Sequence, residues 1–575
     1  MTRPSCMAQP SRNLQNSAFI LVPCLALTLL VGDSSHVEPL FVQWTYYFLL
    51  ALVVSWVAVY LRCARDLTKA AAVNWVKENK AGIIIALAVA ACAALAVEPA
   101  LRVLADETNL LGTSKNFFVH KTATFTVTGK HYYGNFWDAA DGAIIDRRPA
   151  LYPFLVSLLH VMRGYSHTNA FLLNLLALPV FVFTSYRLAK SVGGEVFGVA
   201  SALLVAAHPI TLISARSGGF DFLTTVFSVI VLKSFFDHCR APSADRLAVL
   251  WVNLCMFAEL RYETGLFLFP VVAFLLLFRL ARLDYLGPYR VLYALSPVFL
   301  LPRLWQAIVR GNVPEQDPGA TTFSAGNFAA NALDYLRPLV TPFDQHVSHS
   351  AFIIGLGIVG CILAVRLLVV AAASTNRPVY QWRFGGMVVG WMALQLFIVF
   401  TYVWGRPLHP ASARLIIAID TFFSFAAAWT LTVLFRRTSR FVTIAVSAVL
   451  FVMSVPVGAQ HRLLNELTLT REAATAWRFF ESLHEKRIVI VAERPGLFTV
   501  MNYGSVGFDN ARNDPAVLAG FEQHLYYDIY LVQQIDLATG RPLPQHEMWP
   551  ERPKEAMLEF LNDASASIRI SRLLR

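Results

Sequence analysis

The chain of 575 residues is 56% hydrophobic and only 15% charged, with a formal net charge of +11 and a mean hydropathy of +0.53. That balance excludes an ordinary soluble globular chain and fits a polytopic membrane protein. It also argues against a nucleic-acid-binding arm, because the basic residues recur between apolar segments instead of pooling in one run, as topology signals facing an anionic leaflet do.

A segment needs about 20 residues to cross about 30 Å of hydrocarbon, and about thirteen windows qualify. They centre on 18–32, 40–61, 81–101, 169–188, 195–213, 220–236, 247–261, 265–279, 290–309, 351–373, 385–404, 413–434 and 441–457. The first, after Arg3 and Arg12, reads as a span, with a cleaved signal peptide as the alternative. Arg62, Arg65, Lys69, Lys77 and Lys80 precede the third window; Arg187 and Lys190 follow the fourth, Arg279, Arg282 and Arg290 the eighth, and Arg436, Arg437 and Arg440 the twelfth. The positive-inside rule places those loops and the amino terminus in the cytoplasm. Residues 102–168, 310–350 and everything after about 458 then face outward. The seven cysteines, Cys6, Cys24, Cys63, Cys92, Cys239, Cys255 and Cys361, fall in cytoplasmic loops or the bilayer, none at metal-ligand spacing.

This gives three parts: 1–80, a cytoplasmic tail with two spans and a linker; 81–460, a transmembrane core; and 461–575, an outward domain. In the last, 470–485 and the stretches near 513–523 and 553–562 read as helices. Arg487–Val491, Tyr526–Val532 and Ile568–Ile570 read as strands, which together predict a small α/β domain.

Chemistry-bearing residues gather on the predicted outer face. Asp106–Glu107 stands where the third window ends. A carboxylate there can deprotonate a hydroxyl or ligate a divalent cation, with a solvated loop start as the plain alternative. Asp221 opens the sixth window, where an anion is also favoured simply by the helix N-terminus. Arg147, Arg148, Arg216, Arg261, Arg406, His409 and Arg414 are basic groups on the side where that rule disfavours them, and arginine forks suit phosphate oxygens. Glu259–Gly265 places three charges at membrane depth between two short windows, with pairing of Arg261 and Glu263 in a tight turn as the alternative. Loop 310–350, rich in proline and aromatics, is suited to lie on the membrane and gate a site. It contains His346 and His349, a spacing that permits metal binding only if helical.

In this order the features resemble the GT-C superfamily of membrane glycosyltransferases, nearest the branch of bacterial protein O-mannosyltransferases and the lipid A aminoarabinose transferase. The likeness rests on Asp106-Glu107-Thr108-Asn109-Leu110-Leu111, Arg148-Pro149-Ala150-Leu151-Tyr152-Pro153, Asp221-Phe222-Leu223-Thr224-Thr225 and His409-Pro410-Ala411-Ser412-Ala413-Arg414, and spans roughly 81–435. Many relatives have Pro-Pro-Leu-Tyr where this chain has Pro149-Ala150-Leu151-Tyr152, and two extra spans precede the family-like core.

The resemblance implies a bacterial inner-membrane enzyme with a periplasmic site. It would transfer sugar, with inversion, from a polyprenyl-phosphate donor to a lipid, glycan or protein acceptor of the envelope. Asp106 would be the catalytic carboxylate, with Glu107 and Asp221 as acidic companions, all three available to a divalent cation. Arg414, His409, Arg406, Arg261, Arg216 and Arg148 would look towards the donor phosphate, and Glu263 and Tyr152 would line the cavity. A ligase or polymerase of lipid-linked glycans, or a lipid-linked oligosaccharide transporter, are the rival readings. The transporter is disfavoured by the lack of internal repeats and of ionisable residues in mid-span.

Overall fold

The computed structural model describes residues 34–575 apart from 66–67, 133–134, 139–142, 311–321, 342–349, 374–378, 410, 437–438, 460–467, 484, 486, 526–527 and 562–565. The window at 18–32 and the pair His346 and His349 lie outside the described residues. Eight helices among the described residues are long and apolar enough to cross a membrane. Large apolar side chains face outward along them: Leu95 is 89% exposed and Phe441 75%. Such patches suit hydrocarbon rather than water.

In chain order the helices are α1 (Ser34–Ala64), α2 (Lys69–Ala96), α3 (Leu104–Val119), α4 (Leu151–Arg163), α5 (Asn169–Gly193), α6 (Glu195–Val205), α7 (Pro209–Ser214), α8 (Asp221–Arg240), α9 (Ala244–Ala258) and α10 (Leu268–Leu277). There follow α11 (Arg290–Phe299), α12 (Leu301–Arg310), α13 (Ala325–Leu336), α14 (Ala351–Ala373), α15 (Val379–Thr401), α16 (Ile417–Leu434), α17 (Arg440–Ala459), α18 (Thr468–Ser482), α19 (Phe508–Asn513) and α20 (Pro515–Glu522). The window expected at 195–213 is broken into α6 and α7, because Pro209 starts a new helix at its first turn. The window at 290–309 is divided between α11 and α12, with Pro297 in the last turn before the break. The expected windows omit α4, whose buried apolar run is too short to span a bilayer.

The sheets are smaller. β1 (Phe125–Thr126) pairs with β4 (Ala143–Ile144). The larger sheet runs β3-β2-β6-β5-β7-β10-β9, using β2 (Gly129–Tyr132), β3 (Asn135–Asp138), β5 (Ile488–Ala492), β6 (Gly504–Val506), β7 (Asp528–Asp536), β9 (Lys554–Leu561) and β10 (Ala566–Leu573), with β8 (Arg541–Pro542) on β7. Strand β5 is buried throughout and lies parallel to both β6 and β7. Central parallel strands are expected to read as such apolar runs. The carboxyl-terminal α/β domain is therefore present, with two corrections. Where a helix is expected near 553–562, Lys554–Leu561 form strand β9: their Glu, Ala, Met and Leu favour helix locally, but antiparallel pairing with β10 overrides that propensity. The domain also borrows a hairpin, since β2 joins β6 through Gly129 and Ser505.

That borrowing positions the site. On the turn 496–501 of the domain, the Thr499 carbonyl accepts from Lys115 Nζ of α3 at 3.0 Å, and Thr499 Oγ1 donates to the Val127 carbonyl at 3.1 Å. Tyr165 donates to the Val500 carbonyl at 2.5 Å. The domain is fastened to the helix whose first turn carries Asp106.

Candidate functional site

The two carboxylates of the Asp106–Glu107 dipeptide, side by side in the first turn of α3, part ways. Glu107 is 1% exposed and accepts from the backbone N–H groups of Arg102 at 3.1 Å, Val103 at 3.3 Å and Gly218 at 2.9 Å. It caps its own helix and ties it to the loop before α8, satisfying donors that a helix start leaves open. Burial pushes its carboxyl up to about 7, against the pull of the Arg102 and Gly218 N–H groups. The loop can approach so closely only because Gly218 and Gly219 lack side chains. A Cβ on either would stand 3.3 Å from a Glu107 carboxylate oxygen.

Asp106 turns the other way, into the charged cluster. One oxygen pairs with Arg148 and the other with Arg414. Burial alone would raise its carboxyl, but the guanidiniums of Arg414 and Arg148 outweigh it and hold it well below the usual carboxylate range. Arg148 also reaches Asp146 at 2.6 Å, Arg414 reaches Asp221 at 3.2 Å, and Arg261 holds Asp221 at 2.9 Å and Glu263 at 3.0 Å. The result is one line of alternating charge: Asp146, Arg148, Asp106, Arg414, Asp221, Arg261, Glu263. The contacts of Asp221 are close in distance but not aligned as hydrogen bonds, leaving its oxygens open to other donors.

Each member stands at the end of an element. Asp221 is the first residue of α8, Arg414 lies in the short turn leading into α16, Arg261 follows the end of α9, and Arg148 precedes α4. With Asp106 in the first turn of α3, helix ends from five parts of the chain thus meet at one end of the bundle. Beneath them a small closed pocket of about 10 Å³ is lined by Asp221, Thr224, Thr225, Arg261 and Gln395, a polar space large enough for one water.

The other expected residues lie apart. Arg216 donates to the Val97 carbonyl at 2.9 Å. Tyr152 is wholly buried and bonded to Asn174 and the Ala170 carbonyl; it packs the core under the site rather than lining an opening. His409 pairs locally with Ser412 at 3.5 Å, and Arg406 is exposed. Two residues were missed. Asp146 is 4% exposed, has one oxygen without a partner, and has its carboxyl raised by burial against the attraction of Arg148. Gln306 on α12 donates to the carbonyls of Asp146 and Arg148. The signal for Asp146 was its place directly before two arginines; nothing in the sequence signalled Gln306.

The acidic residues named for a divalent cation all face positive or N–H groups in this arrangement. Asp106 is paired with two guanidiniums, Asp221 lies within ion-pair distance of two, and Glu107 accepts from backbone N–H groups. Among the described residues no cluster of His, Cys, Asp and Glu has the shape of a metal site.

No family model and no curated protein matches the chain. Among solved structures it is similar to ArnT from Cupriavidus metallidurans bound to undecaprenyl phosphate, at 14% identity and a TM-score of 0.52, covering 87% of this chain and 98% of that one. The apo form of the same protein aligns over the same shares at a TM-score of 0.42. At that identity the likeness speaks for the fold alone: the chain has the fold of ArnT, the fold that its motifs, resembling those of GT-C glycosyltransferases, lead one to expect.

Proposed function

We propose that the chain is an integral-membrane glycosyltransferase of the bacterial inner membrane. It moves a sugar from a polyprenyl-phosphate donor to an envelope lipid, glycan or protein on the periplasmic face, with inversion. The observation that carries this reading is the alternating line from Asp146 to Glu263: a carboxylate held between two arginines where helix ends meet at one face of an apolar bundle. A line of mid-span carboxylates would have favoured a transporter; this one sits at helix ends.

The chemistry follows from exchange of partners. In the resting site Arg148 and Arg414 are neutralised by Asp106. A donor phosphate competes for the same guanidiniums, whose planar forks match its oxygens. As they turn to the phosphate, Asp106 loses what holds its pKa down and becomes a better base. It takes the proton of the acceptor hydroxyl while that oxygen forms a bond to the anomeric carbon. The bond from that carbon to the phosphate oxygen breaks, and its electron pair leaves with the polyprenyl phosphate, where Arg148, Arg414 and Arg261 stabilise the charge. Arg261 reaches Asp221 and so holds the far side of Arg414's surroundings. Glu107 acts as a positioning residue by fixing the start of α3.

The test is transfer by the purified protein in vesicles, with a polyprenyl-phosphate sugar carrying labelled carbon in the sugar. Label appearing on an envelope acceptor with inverted anomeric configuration, alongside free polyprenyl phosphate, is expected. Retained configuration, or transfer only from a nucleotide sugar, refutes the proposal.

A further inference from the structure

A second opening lies at the other end of the bundle. Helix α1 has 31 residues, about 46 Å of rise. Near its start Val42 accepts from the Ala123 N–H at 2.9 Å, Tyr46 meets Phe154 edge-on and Phe48 meets Trp305 at a tilt. At its far end, a groove of about 370 Å³ opens between Ala58, Val59 and Arg62 on α1 and residues 287–292. The groove is amphipathic. It is lined by the buried Val59 and Leu292 and the exposed Ala58 and Val291, together with Arg62 and Arg290.

The rim is built. The Arg62 guanidinium lies 4.5 Å above the Tyr289 ring and donates to the Pro288 carbonyl at 3.3 Å. Tyr289 is itself held by its hydroxyl, which donates to Asp245 at 2.6 Å. Arg290 folds back along Gly287, with its Nη2 4.0 Å from where a Cβ would stand. Among the described residues neither arginine forms an ion pair with a carboxylate, and Asp245 is engaged by Tyr289. Two guanidiniums over an apolar slot, on the end of the bundle marked by Arg62, Arg65, Arg279 and Arg282, are complementary to one amphiphile in particular. A phosphate monoanion fits at the rim and an acyl chain along the walls.

The geometry points to a bound anionic phospholipid in this groove, its headgroup phosphate between Arg62 and Arg290 and a chain against Ala58, Val59, Val291 and Leu292. It would clamp α1 to the segment before α11. The site is separate from the charged line and does not depend on the proposed activity. A free phosphate would meet the same arginines but leave the apolar walls empty.

Lipid retention by the full chain tests this. The protein is exchanged into vesicles of phosphatidylglycerol or phosphatidylcholine, washed in detergent, and its retained lipid counted by mass spectrometry. Wild type is expected to keep phosphatidylglycerol over phosphatidylcholine by about tenfold, given two basic groups near the headgroup. The double variant Arg62→Gln/Arg290→Gln should fall to the phosphatidylcholine level. Ala58→Trp fills the slot without altering charge and should do the same, deciding the matter if the double variant does not fold. Inorganic phosphate should not displace the retained lipid. Equal retention of both lipids by wild type, phosphatidylglycerol retained in full by Ala58→Trp, or displacement by inorganic phosphate overturns the inference.

Discussion

Replacing Asp106 with Asn separates chemistry from architecture, because the structure makes the two costs unequal. The proposed base is lost outright, and general-base catalysis is worth about 10²–10⁴-fold, or about 3–5 kcal/mol of activation free energy. The architecture loses much less. Arg148 keeps Asp146 at 2.6 Å and Arg414 keeps Asp221 at 3.2 Å, so neither guanidinium is stranded. The amide also still offers an oxygen to one of them. Asp106 is 22% exposed, and for a partly wet network the stability cost is about 1 kcal/mol. The assay is the initial rate of sugar transfer at saturating donor, alongside the thermal midpoint of the same preparation in detergent. A rate down by at least about a hundredfold with the midpoint nearly unchanged is expected. An Asn variant that keeps more than about a tenth of the wild-type rate removes Asp106 from the role of base. One that loses activity and folding together makes it a structural ion-pair residue.

Four other outcomes follow from the same geometry. Gly219→Ala would put a Cβ 3.3 Å from Glu107 and 3.5 Å from Asp221; transfer should fall about tenfold with a small change in midpoint, as read by the same two assays. The pH dependence of the midpoint should carry opposite contributions from the dipeptide. Asp106, held below its ordinary value, stabilises the fold above about pH 4 and loses that contribution as pH falls, so the drop on acidification should shrink in Asp106→Asn. Glu107, raised to about 7 from 4.5, contributes stability below about pH 4.5 that is lost as pH rises through 7, so Glu107→Gln should flatten the alkaline side. Lys115→Met removes the 3.0 Å contact to Thr499 and should speed proteolysis between 460 and 500 while slowing transfer only a few-fold. Asp146→Asn should tighten donor binding, measured as a lower donor KM.

Much of the site was legible because its members are residues whose presence at a membrane surface needs a reason. Asp106, Asp221, Arg261 and Arg414 are ionisable groups beside apolar windows, and the structure brings all of them into one line. Glu107 was paired with Asp106 because the two are adjacent, but neighbours on a helix point about 100° apart, and that angle sends one into the cluster and the other to the backbone. Arg216, Arg406 and His409 shared the side and the sign of charge without sharing the place, which side and sign alone do not specify. Asp146 was not singled out; its backbone carbonyl is met by Gln306, 160 residues later, and its burial comes from packing that no local pattern encodes. The fold divides in the same way. The strands at 488–492 and 566–573 are apolar enough to be seen, whereas β9 is an edge strand with the composition of a helix, and only its neighbour makes it a strand.

The order of charges also says why the line is useful. It begins and ends with an acid, so three guanidiniums face four carboxylates, an excess of one negative charge. An anionic donor would be repelled from that site if every carboxylate stayed ionised. Asp146 bears on this: it is buried, one of its oxygens is unpartnered, and burial raises its carboxyl against the attraction of Arg148. Protonated, it releases Arg148 from one of its two partners just where a phosphate would need it, while Asp106, held down by two guanidiniums, stays ionised and ready for the acceptor. On the proposed mechanism Asp146, at one end of the line, tunes its charge, and Asp106, between Arg148 and Arg414, serves as the base. That division accounts for why neutralising Asp146 should favour the donor and neutralising Asp106 should abolish transfer, although both lie against the same arginine.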